Sequence, residues 1–350
     1  MERLLSKVPE YGASDVHLTI GMAPIVRQDG KLSSLADEPV VTPDIMEAVL
    51  EQLFTPVQRA ALERDKSIMT TYDLAKKARF KVNAFFQKGY PSVSLHYILP
   101  TVQTIGDLGL PPTIERFAHF RNGLVLICGP FGSGRSSTLA ALVELINRER
   151  AAHILTIERP IEHLFVNAKS VIEQREVGKD VPSFEQGLAD SLQEDVDVIM
   201  LSELESAQAI ATAIKAAASG RLILSTLSTS STVGAIEKIL ASFPPGEQEQ
   251  VRTELSGTLQ GVIAQILLPR TGGGRIAVAE VLTVNAPIRS IIRDGDVIQI
   301  QTILQTSREE GMIPLDRALA DQVKAGTVSM DDAMQHASDS RALQTMLQAT

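Results

Sequence analysis

"LVLICGPFGSGRSSTLAALV", residues 124–143, decides how the rest of the chain is read. Leu124 to Cys128 is a short apolar run, the loop from Gly129 to Gly134 carries three glycines, and Ser136 opens an alanine- and leucine-rich segment. Strand, glycine-rich loop and helix in that order make a cradle for phosphate. The loop turns several backbone N–H groups toward one anion, and the helix adds its positive N-terminal end. The spacing G-x-x-x-x-G-[K/R]-S gives Gly129, Gly132 and Gly134 the backbone roles and leaves the Ser136 hydroxyl to ligate magnesium. A glycine turn that binds nothing is the alternative, and the buried strand before the loop with a helix after it favours phosphate. Arg135 stands where such loops carry lysine: it keeps the charge, but its guanidinium is broad, planar and forked, so binding can survive while placement of the charge changes.

Outward from this stretch, short apolar runs at 153–158 ("HILTIE"), 196–201 ("VDVIML") and 221–226 ("RLILST") alternate with helical patterns at 136–149, 184–193 and 206–219. That alternation predicts an α/β fold, a parallel sheet covered by helices on both faces. "GVIAQILLP" and "GRIAVAEVL", joined by "RTGGG", predict a hairpin added to the sheet. Residues 1–100 mix a helix at 42–54, with Thr42 as N-cap and Pro43 at its first position, and alternating strands at 78–86 and 92–99. The expected layout is an N-terminal domain over 1–100, a proline-rich linker over 101–112, a core over 113–285 and a helical C-terminal segment over 286–350.

Composition narrows the function. At 350 residues, with 44% hydrophobic and 21% charged residues, the chain is an ordinary globular protein with room for two cores. A net charge of -9, no tryptophan and four tyrosines argue against nucleic acid as a partner. The one cysteine, Cys128, lies inside an apolar strand, which predicts a buried structural thiol and excludes a four-cysteine zinc module. His17, His96, His119, His153, His163 and His336 are scattered without ligand spacing. No stretch resembles a signal peptide or a membrane span, so a soluble, cytoplasmic protein is expected.

Three further groups are candidates for chemistry. Glu203, after the strand 196–201, is placed to hold magnesium through water or to orient an attacking water if that strand neighbours the loop strand. A surface glutamate before a helix capped by Ser206 is the equal alternative. Glu158, with Glu162 nearby, ends a second strand at the same edge. Arg79 and Lys81, two apart, share one face of a strand; they are either a solvated basic edge or a pair that reaches a phosphate on a neighbouring subunit.

Over nearly the whole chain these pieces resemble the type IV pilus retraction ATPases, the PilT family. "GASDVHL", "RFKVNAF", the loop at 129–137, "TIERPIE", "QREVG", "EDVDVIMLSE", "SGRLILSTLSTSS", "APIRSIIRD" and "GMIPLDRAL" carry the resemblance. It implies a PAS-like N-terminal α/β domain, a RecA-like P-loop domain with a helical C-terminus, and a homo-hexamer that binds ATP and Mg2+ between subunits. It further implies a cytoplasmic motor, peripheral at the inner-membrane pilus base, that drives pilus retraction and twitching motility through a platform protein. By position, Gly129, Gly132, Gly134, Arg135, Ser136 and Ser137 hold nucleotide, Ser136 meets the metal, Glu203 takes the Walker B role, Glu158 the acidic-box role, and Arg79 with Lys81 the trans-acting role. The departures gather at the chemistry: Arg135 replaces lysine, Arg159 replaces the acidic-box aspartate, and Arg221 and Ser228 replace both histidines of the histidine box. Two readings therefore stay open: a working, slower ATPase, or a ring subunit that scaffolds or regulates an active paralogue. Arg159 and Arg221 are the candidates to replace a lost contact.

Overall fold

The structure is a computed structural model and describes residues 1–74 and 78–348. The chain divides into two compact units: residues 1–101 with 159–164, and residues 102–158 with 165–350.

The first unit is built on an antiparallel sheet. In chain order its elements are α1 (Glu2–Lys7), β1 (Ala13–Thr19), β2 (Ile25–Gln28), β3 (Lys31–Ser34), α2 (Pro43–Leu53), α3 (Pro56–Asp65), β4 (Ser67–Leu74), β5 (Ala78–Gln87) and β6 (Tyr90–Ile98), with strand order β3-β2-β1-β6-β5-β4. The Thr42 hydroxyl accepts the Ile45 N–H and Pro43 opens α2, as the sequence predicts; Thr55 and Gln58 form a capping box on α3. Alternation along β5 puts Ala78, Phe80, Val82 and Ala84 into a core with Met46, Val49 and Leu50 of α2. Arg79 and Lys81 therefore share the opposite face.

The second unit carries the P-loop stretch. Its strands are β7 (Gly123–Cys128), β8 (His153–Glu158), β9 (Val171–Glu176), β10 (Val198–Leu201), β11 (Leu222–Leu227), β12 (Leu259–Pro269) and β13 (Arg275–Thr283), in the order β13-β12-β7-β11-β10-β8-β9. β8 to β11 run parallel with β7, β12 joins β7 in parallel, and β13 pairs antiparallel with β12 in the expected hairpin. The helices are α4 (Arg135–Glu149), α5 (Phe184–Ser191), α6 (Ala207–Ala218), α7 (Thr232–Ala241), α8 (Gln248–Thr258), α9 (Ala286–Asp294), α10 (Ile300–Thr306), α11 (Leu315–Lys324), α12 (Met330–His336) and α13 (Ser340–Gln348).

All six residues of β7 are buried, and they serve two cores. Leu124, Leu126 and Cys128 pack with residues of α6 and α8, while Val125 and Ile127 pack with Leu139, Leu142, Val143 and Ile146 of α4. A strand covered on both faces reads as a continuous apolar run, which is why 124–128 shows no alternation. The last helices bury Leu319, Ala333 and Leu343 against Leu268, Ile276 and Val278 of the hairpin. Among the described residues no helix is long and apolar enough to cross a membrane.

β11 lies between β7 and β10, so the strand carrying Glu203 is not the neighbour of the loop strand. β11 pairs with both of them, residue for residue from Leu222 onward.

Candidate nucleotide site

The loops after β7, β10 and β11 meet at the carboxyl edge of the parallel strands, where open α/β sheets form their crevices. Gly129, Gly132 and Gly134 have φ of 156°, 77° and 86°. At Gly129 the need for glycine is also steric: a Cβ there would lie 2.4 Å from the Gln265 carbonyl and 2.2 Å from the Ser133 hydroxyl. Gln265, buried on β12, braces the loop: its Nε2 donates to the Ser133 carbonyl at 2.7 Å, and its Oε1 accepts from the Thr138 hydroxyl at 2.8 Å. The Ser133 Oγ is buried with no hydrogen-bond partner among the described residues. A braced loop of glycines in the left-handed region, an unpaired buried hydroxyl and the start of a 15-residue helix fit an anionic phosphate chain. Ser136, in the first turn of α4, is exposed and free of the core. Ser137 follows it, half-buried.

Arg135 does not point away into solvent. Its Nη1 donates to the Ser228 Oγ at 2.9 Å and lies 3.4 Å from the Glu203 Oε1. Ser228 in turn donates to the same Glu203 oxygen at 2.6 Å. The structure thus brings Arg135 and Glu203 together across β11, with Ser228, which follows β11, as the link. Lys238 of α7 adds a second cation nearby, its Nζ donating to the Ser228 carbonyl at 3.1 Å.

Burial pushes the Cys128 thiol up to about 12, outweighing a hydrogen bond from Thr229 and the charges of Arg135 and Lys238. It is the buried, unreactive thiol expected from its strand.

The other candidates lie elsewhere. Glu158 is buried at the end of β8, accepting from the Thr156 hydroxyl at 2.7 Å and from Gln174 Nε2 at 3.0 Å. β8 is three strand positions from β7, roughly 14 Å at normal strand spacing. Arg221 lies just before β11 and so at the edge opposite Ser228, roughly 20 Å away along a six-residue strand. It donates to the carbonyls of Leu192 and Glu194, so it replaces nothing at the loop. Arg159 belongs to the first unit.

In that first unit Arg79 donates to Asp73 at 2.8 Å and to the Ile161 carbonyl at 2.8 Å, and Lys81 pairs with Glu162 at 2.8 Å. Burial alone would raise the Glu162 carboxyl, but the Lys81 ammonium prevails and holds it below its ordinary 4.5. His163, beside it, is depressed below 6.5 by burial.

Sequence reasoning noted Ser228 only as a departure and passed over Gln265 and Lys238. Gln265 did leave a signal: it is the lone polar residue in "GVIAQILLP", and a polar side chain in a fully buried strand needs a partner.

The fold and the loop define a P-loop nucleotide-binding protein of the RecA-like class. The profile of the family described as "Type II/IV secretion system protein" matches residues 2–272. The type IV pilus retraction ATPase PilT of Pseudomonas aeruginosa is 35% identical over 334 residues, covering 95% of this chain and 97% of that protein. A twitching motility protein of Neisseria gonorrhoeae is 35% identical over 321 residues, covering 91% and 86%. Among solved structures, that of the pilus retraction motor PilT with bound ADP superposes with a TM-score of 0.85 at 35% identity, covering 99% of each chain. The chain belongs to the type II/IV secretion ATPase family and, within it, to the PilT-type pilus retraction ATPases.

Proposed function

We propose that this chain is an ATP-hydrolysing subunit of a type IV pilus retraction motor, in which an arginine does the work of the loop lysine. The observation that carries the reading is the junction of Arg135, Glu203 and Ser228 beside a braced, glycine-built loop. Backbone N–H groups from Gly129 to Ser137 hold the phosphates, and Ser136 is the magnesium ligand. Bound magnesium supplies neutralising charge to the phosphate oxygens. Arg135 exchanges Glu203 and Ser228 for phosphate; Glu203, released, orients the attacking water. Glu158 supports that edge from β8 through its bonds to Thr156 and Gln174.

The rest of the proposal follows the whole-length likeness to retraction motors. The chain works as a homo-hexamer, on the cytoplasmic side of the inner membrane at the pilus base, against a platform protein in that membrane. Arg79 and Lys81 reach the phosphates of a neighbouring copy once they give up Ile161 and Glu162.

Phosphate release from ATP with magnesium tests the reading. The unmodified protein should turn over, Glu203→Ala should reduce turnover at least about a hundredfold, and Arg135→Lys should raise it about tenfold or more. Turnover no higher than that of Glu203→Ala, with ADP still bound, would overturn hydrolysis and favour a scaffolding or regulatory ring subunit working with an active paralogue. Recovery in Arg135→Lys would then place the deficit in that one side chain.

A further inference from the structure

Ser228 is the centre of the polar junction, not its bystander. A hydroxyl has one proton and two lone pairs, and this one uses both functions: it accepts from the Arg135 Nη1 at 2.9 Å and donates to the Glu203 Oε1 at 2.6 Å. The direct contact of Arg135 with Glu203, 3.4 Å, is longer than the roughly 2.7–2.9 Å of a good charge-assisted bond. The two short links in the triangle are therefore the ones that pass through Ser228. Its backbone is braced as well. Residue 228 directly follows β11, its carbonyl takes the Lys238 ammonium at 3.1 Å, and three residues on Ser231 caps α7 by accepting the Gly234 N–H at 3.0 Å. Glu280 closes the same helix start by accepting from the Thr232 hydroxyl at 2.7 Å. A hydroxyl on so fixed a backbone can hold a long, flexible guanidinium in one place.

We infer that Ser228 is a positioning residue that parks the Arg135 guanidinium on Glu203 in competition with phosphate, and so sets how tightly the loop binds nucleotide. The inference rests on the nucleotide reading above. While parked, Arg135 neutralises Glu203 and is unavailable to an incoming phosphate; binding must break the Ser228 bond and lengthen an already long ion pair. Removing the hydroxyl leaves only the 3.4 Å contact, which yields more readily. The effect depends on the forked side chain. A lysine at 135 places a compact charge on a different stem and does not present the same nitrogen to hydroxyl and carboxylate.

Titration calorimetry with magnesium-ADP on the full-length chain tests this in five proteins: unmodified, Ser228→Ala, Ser228→Thr, Arg135→Lys, and the Arg135→Lys/Ser228→Ala double variant. Ser228→Ala should tighten ADP binding about three- to tenfold, the size expected for one ordinary net hydrogen bond at an exposed site. Ser228→Thr, which keeps the hydroxyl, should stay within about twofold of the unmodified protein, and Ser228→Ala should change almost nothing when lysine stands at 135. A merely structural serine would respond equally in both backgrounds. Equal responses, or weaker binding in Ser228→Ala, would overturn parking while leaving the nucleotide reading intact. No binding by any of the five would overturn the nucleotide reading itself.

Discussion

Arg135 and Lys81 each meet a carboxylate inside their own unit, and the two pairs are built differently. Lys81 lies 2.8 Å from Glu162 with both side chains largely covered, and two residues away Arg79 donates to the Ile161 carbonyl at 2.8 Å. Two cations on one strand face thus stitch down two adjacent residues of the segment 159–164. Arg135 lies 3.4 Å from a Glu203 whose side chain is one-third exposed, and a hydroxyl completes the link. A close, covered pair is costly to break, because separation strands a charge away from water. The Arg135 side chain is as well covered as Lys81, so it is the length of its ion pair and the solvent reaching its carboxylate that make exchange of partners cheaper there. The first holds chain together and yields only to an anion that competes strongly for both cations, as a neighbouring copy's phosphates would; the second is suited to trading its carboxylate for a ligand bound in its own unit.

The largest effect should come from the loop beneath the exchanging pair. In Gly129→Ala the new Cβ meets the Gln265 carbonyl, which is backbone and cannot swing aside, on a residue already at φ 156°. Magnesium-ADP binding should fall beyond detection, with about 2–4 kcal/mol lost in denaturant unfolding. Retained binding would mean that the cradle tolerates a different backbone path, and the contrast between a fixed loop and an arginine that trades partners would collapse.

Next comes the stitch itself. Lys81→Met leaves Glu162 covered without its cation, and should cost the first unit about 2–4 kcal/mol in urea unfolding; Lys81→Arg should keep most of it. A loss below about 0.5 kcal/mol would make this pair as dispensable as a surface one and erase its difference from Arg135.

How much of this was legible in the sequence follows from how local each feature is. The glycine-rich loop between β7 and α4, the caps at Thr42 and Ser206, the shared face of Arg79 and Lys81 and the hairpin at 259–283 depend on residues close along the chain, and the sequence reading found each of them. The insertion of β11 between β7 and β10 depends on packing across 100 residues, which no local pattern encodes. Ser228 is 93 residues from Arg135, and Ile161 is 82 from Arg79, so both partnerships were hidden although every residue in them was visible. The resemblance, by assigning Arg221 to the same box as Ser228, even suggested a false neighbourhood: the two lie at opposite ends of one strand.

A smaller effect separates the pairs by pH. Glu162 and His163 are both depressed in the folded unit, Glu162 by Lys81 against the effect of burial, and His163 by burial itself, opposed by the Glu162 charge and helped by those of Arg79 and His96. In each case the unfolded chain binds protons more readily, so the stabilising contribution is present above the ordinary value and is lost as pH falls. Stability of the first unit should decline from about pH 6.5 downward on account of His163, and again below about pH 4.5 on account of Glu162. His163→Asn should flatten the upper part of that decline. A decline that begins only below pH 5 in the unmodified protein would remove His163 from the stitch.

The smallest expected effect is at Cys128, where the comparison turns from charges to the strand that carries the loop. Its thiol ends β7 directly before Gly129, close enough to Arg135 and Lys238 for both charges to favour a thiolate, yet burial holds it at about 12. Near pH 8 the ionised fraction is then on the order of 0.0001, and the thiolate is the species that reacts. Native protein should therefore leave a thiol reagent unconsumed over an hour at pH 8, with or without magnesium-ADP, and react fully once unfolded in urea. Rapid labelling of the native protein would show the carboxyl end of β7 opening to solvent. An Arg135 that trades partners above a fixed loop would then be the wrong description, because loop and arginine would be moving together.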